Sequence, residues 1–153
     1  MRVEIKTNLH RAGWLAAIIL GAVCGVLAAN PSPTGRWKTI DDKTGEARGI
    51  IQVYEEHGQL FGKIEAAFKA EEAKERCDLC TDSRKGKPIV GMVVLRGLRK
   101  QGEEYSGGDI LDPDTGIVYR CKVRLLEEGK KLLVRGYLFA PLLGRSQIWI
   151  REP

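Results

Sequence analysis

The sequence predicts an all-β protein: a single barrel of eight mostly antiparallel strands, joined largely by short hairpins, with one inserted loop. Short segments of alternating apolar and polar residues recur along the chain, separated by turns rich in Gly, Pro and Asp. A Gly35-Arg36-Trp37 motif opens the first segment, and Arg145 to Arg151 forms the last. We expect these two segments to meet, because only closure of a sheet removes both of its edges.

The first 28 residues have the pattern of a secretory signal peptide. Arg2, Lys6 and Arg11 make a basic start, and an uncharged apolar run from Trp14 to Ala28 ends in a small-x-small cleavage pattern. The run is about 15 residues long, whereas a membrane-spanning helix needs ~20. We therefore expect cleavage after Ala28, export to the periplasm or the medium, and no stable membrane anchor after cleavage. An uncleaved anchor is the alternative.

The mature chain is expected to comprise a lead-in over residues 29–34 and a barrel domain over residues 35–153. Loss of the signal peptide removes three basic residues and one acidic residue, so the net charge falls from +5 to +3. The remaining basic residues are interspersed with acidic ones, which is typical of a solvated surface and not of a nucleic-acid-binding patch. We expect no nucleic-acid partner.

The first three strands are predicted over 35–41, 47–55 and 60–68, with polar turns between them. Alternation stops near Lys69. The segment from Lys69 to Arg76 has the composition of two helical turns, and Glu72 is spaced for an ion pair with Arg76. A polar stretch continues to Pro88, so this excursion is either a lid over the barrel or a decoration.

The remaining strands are predicted over 89–99, 104–111, 117–125, 132–138 and 145–151, and Gly107 with Gly108 predicts a bulge or a bend. The apolar positions that alternate with polar ones must face a common interior, and glycines within the strands leave some room there. Eight strands can fill their own interior or hold one small ligand. The candidate ligand-binding residues are Ile51, Val53, Ile64, Val123, Val134 and Leu138.

The segment Cys77-Asp78-Leu79-Cys80 is the sharpest chemical motif. In a thioredoxin-type enzyme such a pair opens a helix, whose N-terminus lowers the thiol pKa. Here the possible helix precedes the pair, which would raise the pKa instead. In an oxidising compartment a structural disulfide that pins a loop is therefore favoured over redox catalysis, which stays an alternative.

No catalytic or metal site emerges from the other motifs. Cys77, Cys80, Cys121 and His57 could supply four zinc ligands, but a second closely spaced ligand pair is missing. The acidic segment 112–116 lacks the spacing of a calcium loop and is typical of a hairpin turn. Hydrolase and phosphate-loop motifs are absent from the sequence. We expect no metal and no cofactor, and an enzyme is the less favoured class.

The two end segments predict a structural seam. A buried Trp37 ring could receive the guanidinium of Arg151 or Arg145 on its face. This pairing is favoured because both segments are expected to lie in neighbouring strands. The residues expected to form the seam are Gly35, Trp37, Arg145, Trp149 and Arg151.

Several segments in order resemble the bacterial exported proteins grouped as domain of unknown function 2147. The matching segments are Gly35 to Thr39, Gly62 to Ile64, Cys77 to Cys80, Gly86 to Pro88, Ile110 to Pro113, Gly116 with Tyr119, Val134 to Tyr137, and Gly144 to Arg151. The family is similar in fold to lipocalins, so the resemblance implies a lipocalin-like (calycin) barrel holding a small ligand. It supplies no catalytic residues. Cys121 is not a family cysteine, which favours pairing between Cys77 and Cys80.

Together these observations predict an exported protein that binds a small, largely apolar molecule, as a carrier or a sensor. Two alternatives stay open. One is a disulfide-exchange enzyme that uses Cys77 and Cys80. The other is an envelope protein-interaction module with a filled barrel and a binding outer face.

Overall fold

Eight antiparallel strands, each paired with the next in the chain, form a closed barrel. The structure is a computed structural model that describes residues 31–153, so the predicted signal peptide and cleavage site lie outside the described residues. The strands are β1 (Gly35–Ile40), β2 (Ala47–Glu56), β3 (Gln59–Ala67), β4 (Val93–Gln101), β5 (Glu104–Asp112), β6 (Ile117–Leu126), β7 (Lys131–Tyr137) and β8 (Gly144–Glu152). The predicted eight-stranded antiparallel barrel is confirmed.

The seam between β1 and β8 closes the barrel. Trp37 lies opposite Arg151 in an antiparallel register, and the Trp37 side chain is fully buried. The Arg151 guanidinium carbon lies 4.2 Å from the centre of the Trp37 ring. Its nitrogens donate hydrogen bonds to the carbonyls of Ser32, Thr34 and Gly129. This one side chain therefore joins the lead-in, β8 and the turn before β7.

The hydrophobic core fills the half of the barrel around Trp37. Period-two alternation turns one face of each strand inward, and large aliphatic side chains occupy those positions. At Gly62 an added Cβ would lie 2.9 Å from the Leu95 Cβ and 3.1 Å from an Ile51 methyl, so the interior is tightly packed there. The fully buried aliphatic side chains of this region are Val53, Leu60, Leu95, Leu98, Val123 and Leu132.

The closed barrel lies wholly within residues 31–153. Both edges of the sheet are paired, and the core is built from these residues. The segment therefore contains the strands and the apolar surface that the barrel needs to fold as a unit. In this part of the chain, no helix has the length and apolar character to cross a membrane.

The inserted segment between β3 and β4 differs from its prediction. The expected two helical turns over residues 69–76 are reduced to one 3-10 turn, Glu72–Lys74. Arg76 instead pairs with Pro88 in an isolated β-bridge, which draws the chain out of the helix. Its guanidinium donates to the Gly86 carbonyl, so the expected pair with Glu72 does not form. Strand β4 begins at Val93 and not at residue 89.

The predicted bulge in β5 is confirmed. The register between β5 and β6 shifts between Tyr105 and Gly108, and Gly107 has a φ of 83°, which favours glycine. Strand β5 also lies close to β4. An added Cβ on Gly108 would lie 2.0 Å from the Arg96 carbonyl oxygen, so β4 and β5 approach closely only because this side chain is absent.

Replacing Trp37 with Ala tests the seam. The ring is fully buried, so its loss should lower the free energy of unfolding by ~3–5 kcal/mol. Chemical denaturation of the Trp37→Ala variant measures this change. Arg36→Ala on the same strand is the matched control, because Arg36 is exposed. A loss of under ~1 kcal/mol for Trp37→Ala would contradict the seam as described.

Candidate functional site

The half of the barrel away from the Trp37–Arg151 stack holds a cavity of about 280 Å³. It opens at the end that carries the loops after β1, β3, β5 and β7, where the rim residues Asp42, Asp114 and Arg145 are exposed. Its wall is largely aliphatic and aromatic, contributed by inward positions of several strands. Representative wall residues are Ile51, Ile64, Ile110, Tyr119, Val134 and Trp149.

Three of the six predicted ligand-binding residues, Ile51, Ile64 and Val134, line this cavity. Val53 and Val123 are buried in the core but do not line it. Leu138 does not face the interior, because β7 ends one residue earlier, and its side chain is 49% exposed.

The wall residue Ile110 was missed by the sequence reasoning because of the bulge in β5. Tyr105 and Ile110 both pack against the core although five positions separate them, so simple alternation fails between them. The extra residue at the bulge reverses which positions face inward. The Gly107-Gly108 pair signalled the bulge, but not the resulting direction of Ile110.

The cavity rim is rich in carboxylates. Six carboxylate side chains and two arginines line the cavity. They are Asp41, Asp42, Glu72, Glu75, Asp112 and Asp114, with Arg48 and Arg145. Both arginines are already ion-paired. The rim therefore carries a surplus of negative charge and no uncommitted guanidinium.

The pairing of the two rim arginines connects loops that are distant in sequence. Arg48 donates to Asp114 at 2.7 Å and lies 3.5 Å from Glu72, and Asp114 raises the pKa of Arg48 above its ordinary value. Arg145 donates to Asp42 through Nε at 2.8 Å. Arg145 thus links β8 to the loop after β1 at the open end, while Arg151 alone stacks on the Trp37 ring.

Trp149 lies between the two arginines of β8. Its side chain is 2% exposed, and its indole N–H donates to the Gln147 side-chain oxygen at 3.2 Å. The ring orientation is therefore fixed by a neighbour on the same inward face. Trp149 forms part of the cavity wall, a role beyond the structural one expected from the sequence.

The inserted segment between β3 and β4 forms part of the cavity wall through Glu72, Glu75 and Ile89. Arg84 helps to hold this segment in place. The residue is 6% exposed, and its guanidinium donates to both oxygens of Asp82 and to the Val93 carbonyl at the start of β4. The insertion is thus fastened to the barrel, and it is more than a decoration.

A disulfide between Cys77 and Cys80 pins the same segment, and both cysteines are buried. The predicted disulfide is confirmed. An added Cβ on Gly116 would lie 2.1 Å from the Leu79 carbonyl oxygen, so the disulfide loop packs directly on the turn after β5. Burial raises the pKa of the free Cys121 thiol to about 12, which leaves it protonated and unreactive at neutral pH.

The described residues offer no assembled metal site. No group of three or more His, Cys, Asp and Glu side chains in residues 31–153 is arranged to hold a metal ion. Cys77 and Cys80 are bonded to each other, and His57 is a surface side chain in the turn after β2. The chemistry that this arrangement supports is binding in an apolar cavity.

A closed eight-stranded antiparallel barrel with one packed half and one hollow half defines a lipocalin-like protein. A Helicobacter pylori protein described as belonging to the lipocalin family has a similar structure, with a TM-score of 0.70 and 18% sequence identity. The match covers 80% of this chain and 84% of that one. This likeness shows the fold.

Residues 35–151 match the family described as an uncharacterized protein conserved in bacteria, DUF2147. The chain belongs to this family, as the sequence motifs indicated. No curated protein matches the chain.

Acid should weaken the attachment of the inserted segment to the barrel, because it protonates the Asp82 carboxylate. The Arg84 side chain lowers the pKa of Asp82 from 3.8 to about 2 in the folded protein. The stabilisation that this carboxylate contributes is complete above pH ~4 and is lost as the pH falls toward 2. The Asp82→Asn variant should therefore be less stable than the native protein at pH 7, and most of this difference should be gone at pH 2.

Thermal unfolding followed between pH 2 and pH 7 measures this difference. Asp78→Asn is the matched control, because Asp78 is an exposed carboxylate of the same segment. A constant gap between Asp82→Asn and the native protein across that range would contradict the role given to the Arg84–Asp82 pair.

Proposed function

We propose that this protein is an exported carrier or sensor for one small, largely apolar molecule that binds in the barrel cavity. The observation that carries the proposal is the cavity of about 280 Å³ with an apolar wall inside a lipocalin-like barrel. Ligand sites are typically concave and mostly apolar, with a few polar groups at fixed positions. The rim side chains supply those polar groups here.

The cavity volume limits the size of the ligand. Cavities that hold drug-sized molecules span roughly 300–1,000 Å³, and an engineered cavity of about 150 Å³ holds benzene. A volume of about 280 Å³ therefore fits a single substituted ring, two fused rings or a short alkyl chain. A long acyl chain would extend out of the mouth into water.

The rim charges favour a ligand with a neutral or cationic polar end. A carboxylate ligand would meet six protein carboxylates and would need an arginine that already has a partner, Arg48 or Arg145. Like charges at close range raise the free energy of binding. An ammonium or hydroxyl group at the mouth would meet hydrogen-bond acceptors instead.

The disulfide-exchange alternative has less support. Exchange requires an accessible sulfur, whereas the Cys77 and Cys80 side chains are 0% and 1% exposed. The only helical turn of the segment precedes the pair, so no helix N-terminus lowers a thiol pKa there. The geometry supports a structural role for this disulfide.

Filling the cavity should abolish ligand binding. The neutral fluorescent dye 1-aminonaphthalene, which has two fused rings, is expected to bind the native protein in the micromolar range when titrated by fluorescence. Val134 lines the cavity, so Val134→Trp should weaken binding more than tenfold. Leu133→Trp adds the same ring one position away on the outer face of β7 and should bind like the native protein.

Circular dichroism of both variants establishes that the barrel is intact. Equal dye binding by Val134→Trp and Leu133→Trp would mean that the dye binds outside the cavity, and it would contradict the carrier proposal.

Ligands that differ only in their polar end should differ in affinity according to the charge of that end. Hexylamine and hexanol should displace the dye at lower concentration than hexanoate at pH 7, because the rim carries surplus carboxylates. The preference for the amine should shrink at high salt. Tighter binding of hexanoate than of hexylamine would contradict the proposed polarity of the ligand while leaving the cavity proposal standing.

A further inference from the structure

The outer face of β6 and β7 is strongly basic. These two strands contain five cationic residues and no carboxylate. Their register places Lys122 beside Arg135, and the outward positions continue along the same face. The cations are Arg120, Lys122, Arg124, Lys131 and Arg135. Lys122 and Lys131 have acidic partners on neighbouring segments, while Arg120 and Arg124 are exposed.

The loop between β7 and β8 exposes large apolar side chains. Phe139 and Leu142 are each 87% exposed, and Leu143 is 74% exposed. On β8 itself, Ile148 and Ile150 face outward and are 37% and 41% exposed. Most soluble proteins bury such side chains, so a contiguous exposed group marks an interaction surface.

The loop is held in this exposed conformation by a basic side chain. Arg135 donates to the carbonyls of Pro141 and Leu142, at 2.6 Å and 3.2 Å, and to the Ser146 hydroxyl at 2.8 Å. The Leu143 N–H donates to the Ala140 carbonyl, which closes a 3-10 turn. Because the polar backbone is bonded to the barrel, the apolar side chains are directed away from it. The loop therefore exposes these apolar side chains in one fixed conformation, although their exposure to water is unfavourable.

The two features form one surface, which we call the docking face: the outward side of β6 and β7 together with loop residues 138–143. An apolar edge beside a basic surface is the pattern of proteins that lie at the interface of an anionic bilayer. We propose that the docking face binds reversibly to a membrane surface that contains anionic lipids. The apolar loop enters the headgroup region, and the basic strands face the lipid phosphates.

Charge also determines how the barrel lies on the lipid. The cavity rim carries six carboxylates against two arginines, so an anionic surface repels it. The barrel therefore contacts the membrane through the docking face. The cavity mouth lies beside the membrane surface and does not face it. Gly136 and Arg145, which flank the loop, both line the cavity, so the docked loop stands at the cavity mouth.

Vesicle flotation of residues 29–153 tests this docking without any ligand. The protein should float with vesicles of phosphatidylcholine and phosphatidylglycerol, and much less with phosphatidylcholine alone. The double variant Phe139→Ser, Leu142→Ser should partition at least tenfold more weakly, because two large apolar side chains are removed. Arg120→Gln with Arg124→Gln should weaken binding to anionic vesicles about tenfold.

Matched controls alter other surfaces in the same ways. Leu79→Ser removes an apolar side chain that is 62% exposed, and Arg99→Gln with Lys100→Gln removes two exposed charges from β4. Both should float like the native protein. A tryptophan introduced by Phe139→Trp should be quenched by brominated lipids, and one introduced by Leu79→Trp should not.

Three outcomes would overturn the proposal: no flotation of the native protein, equal losses in the controls, or no dependence on anionic lipid. Self-association that Phe139→Ser, Leu142→Ser abolishes, without any vesicle binding, would instead assign the face to contacts between copies of this chain. Dye binding by the cavity is measured separately, so the membrane proposal and the carrier proposal fail independently.

Discussion

The stack of Arg151 on Trp37 is the contact on which the rest of the barrel depends. One guanidinium covers the buried ring and binds three backbone carbonyls, of which Thr34 and Ser32 lie 117 and 119 residues away in sequence and Gly129 lies 22 residues away. The geometry requires Gly35, which has a φ of 126° and whose added Cβ would lie 2.8 Å from an Arg151 nitrogen. Closure at this point joins β1 to β8 and removes both sheet edges.

One half of the barrel is hollow because small residues occupy inward positions there, whereas large residues fill the other half. Large aliphatic residues fill the interior around Trp37, whereas Gly136 contributes no side chain to the cavity wall, and its added Cβ would lie 3.3 Å from Tyr119. Small-barrel interiors have room for their own side chains or for one small ligand. The packed end supplies stability, which allows the other end to keep an apolar cavity that would otherwise favour collapse.

The sequence was sufficient for the fold and only partly for the site. Alternation in β2, β3 and β7 identified Ile51, Ile64 and Val134, because each strand keeps one face inward. The bulge in β5 reverses which residues face inward, so Ile110 lines the cavity although alternation places it outside. Strand β7 ends before Leu138, so this side chain faces the solvent. Composition predicts neither of these side-chain directions. The rim ion pairs join residues as far apart as Asp42 and Arg145, so they depend on closure itself.

The central claim is that the interior around Ile51 and Ile64 is a binding site. Methyl NMR during titration with a neutral apolar probe tests it most directly, because each isoleucine methyl reports on its own surroundings. The account predicts saturable shifts at Ile51, Ile64 and Ile110, with little change at the outward-facing Ile148 and Ile150. Shifts confined to the two outward-facing isoleucines, with the cavity methyls unchanged, would contradict it.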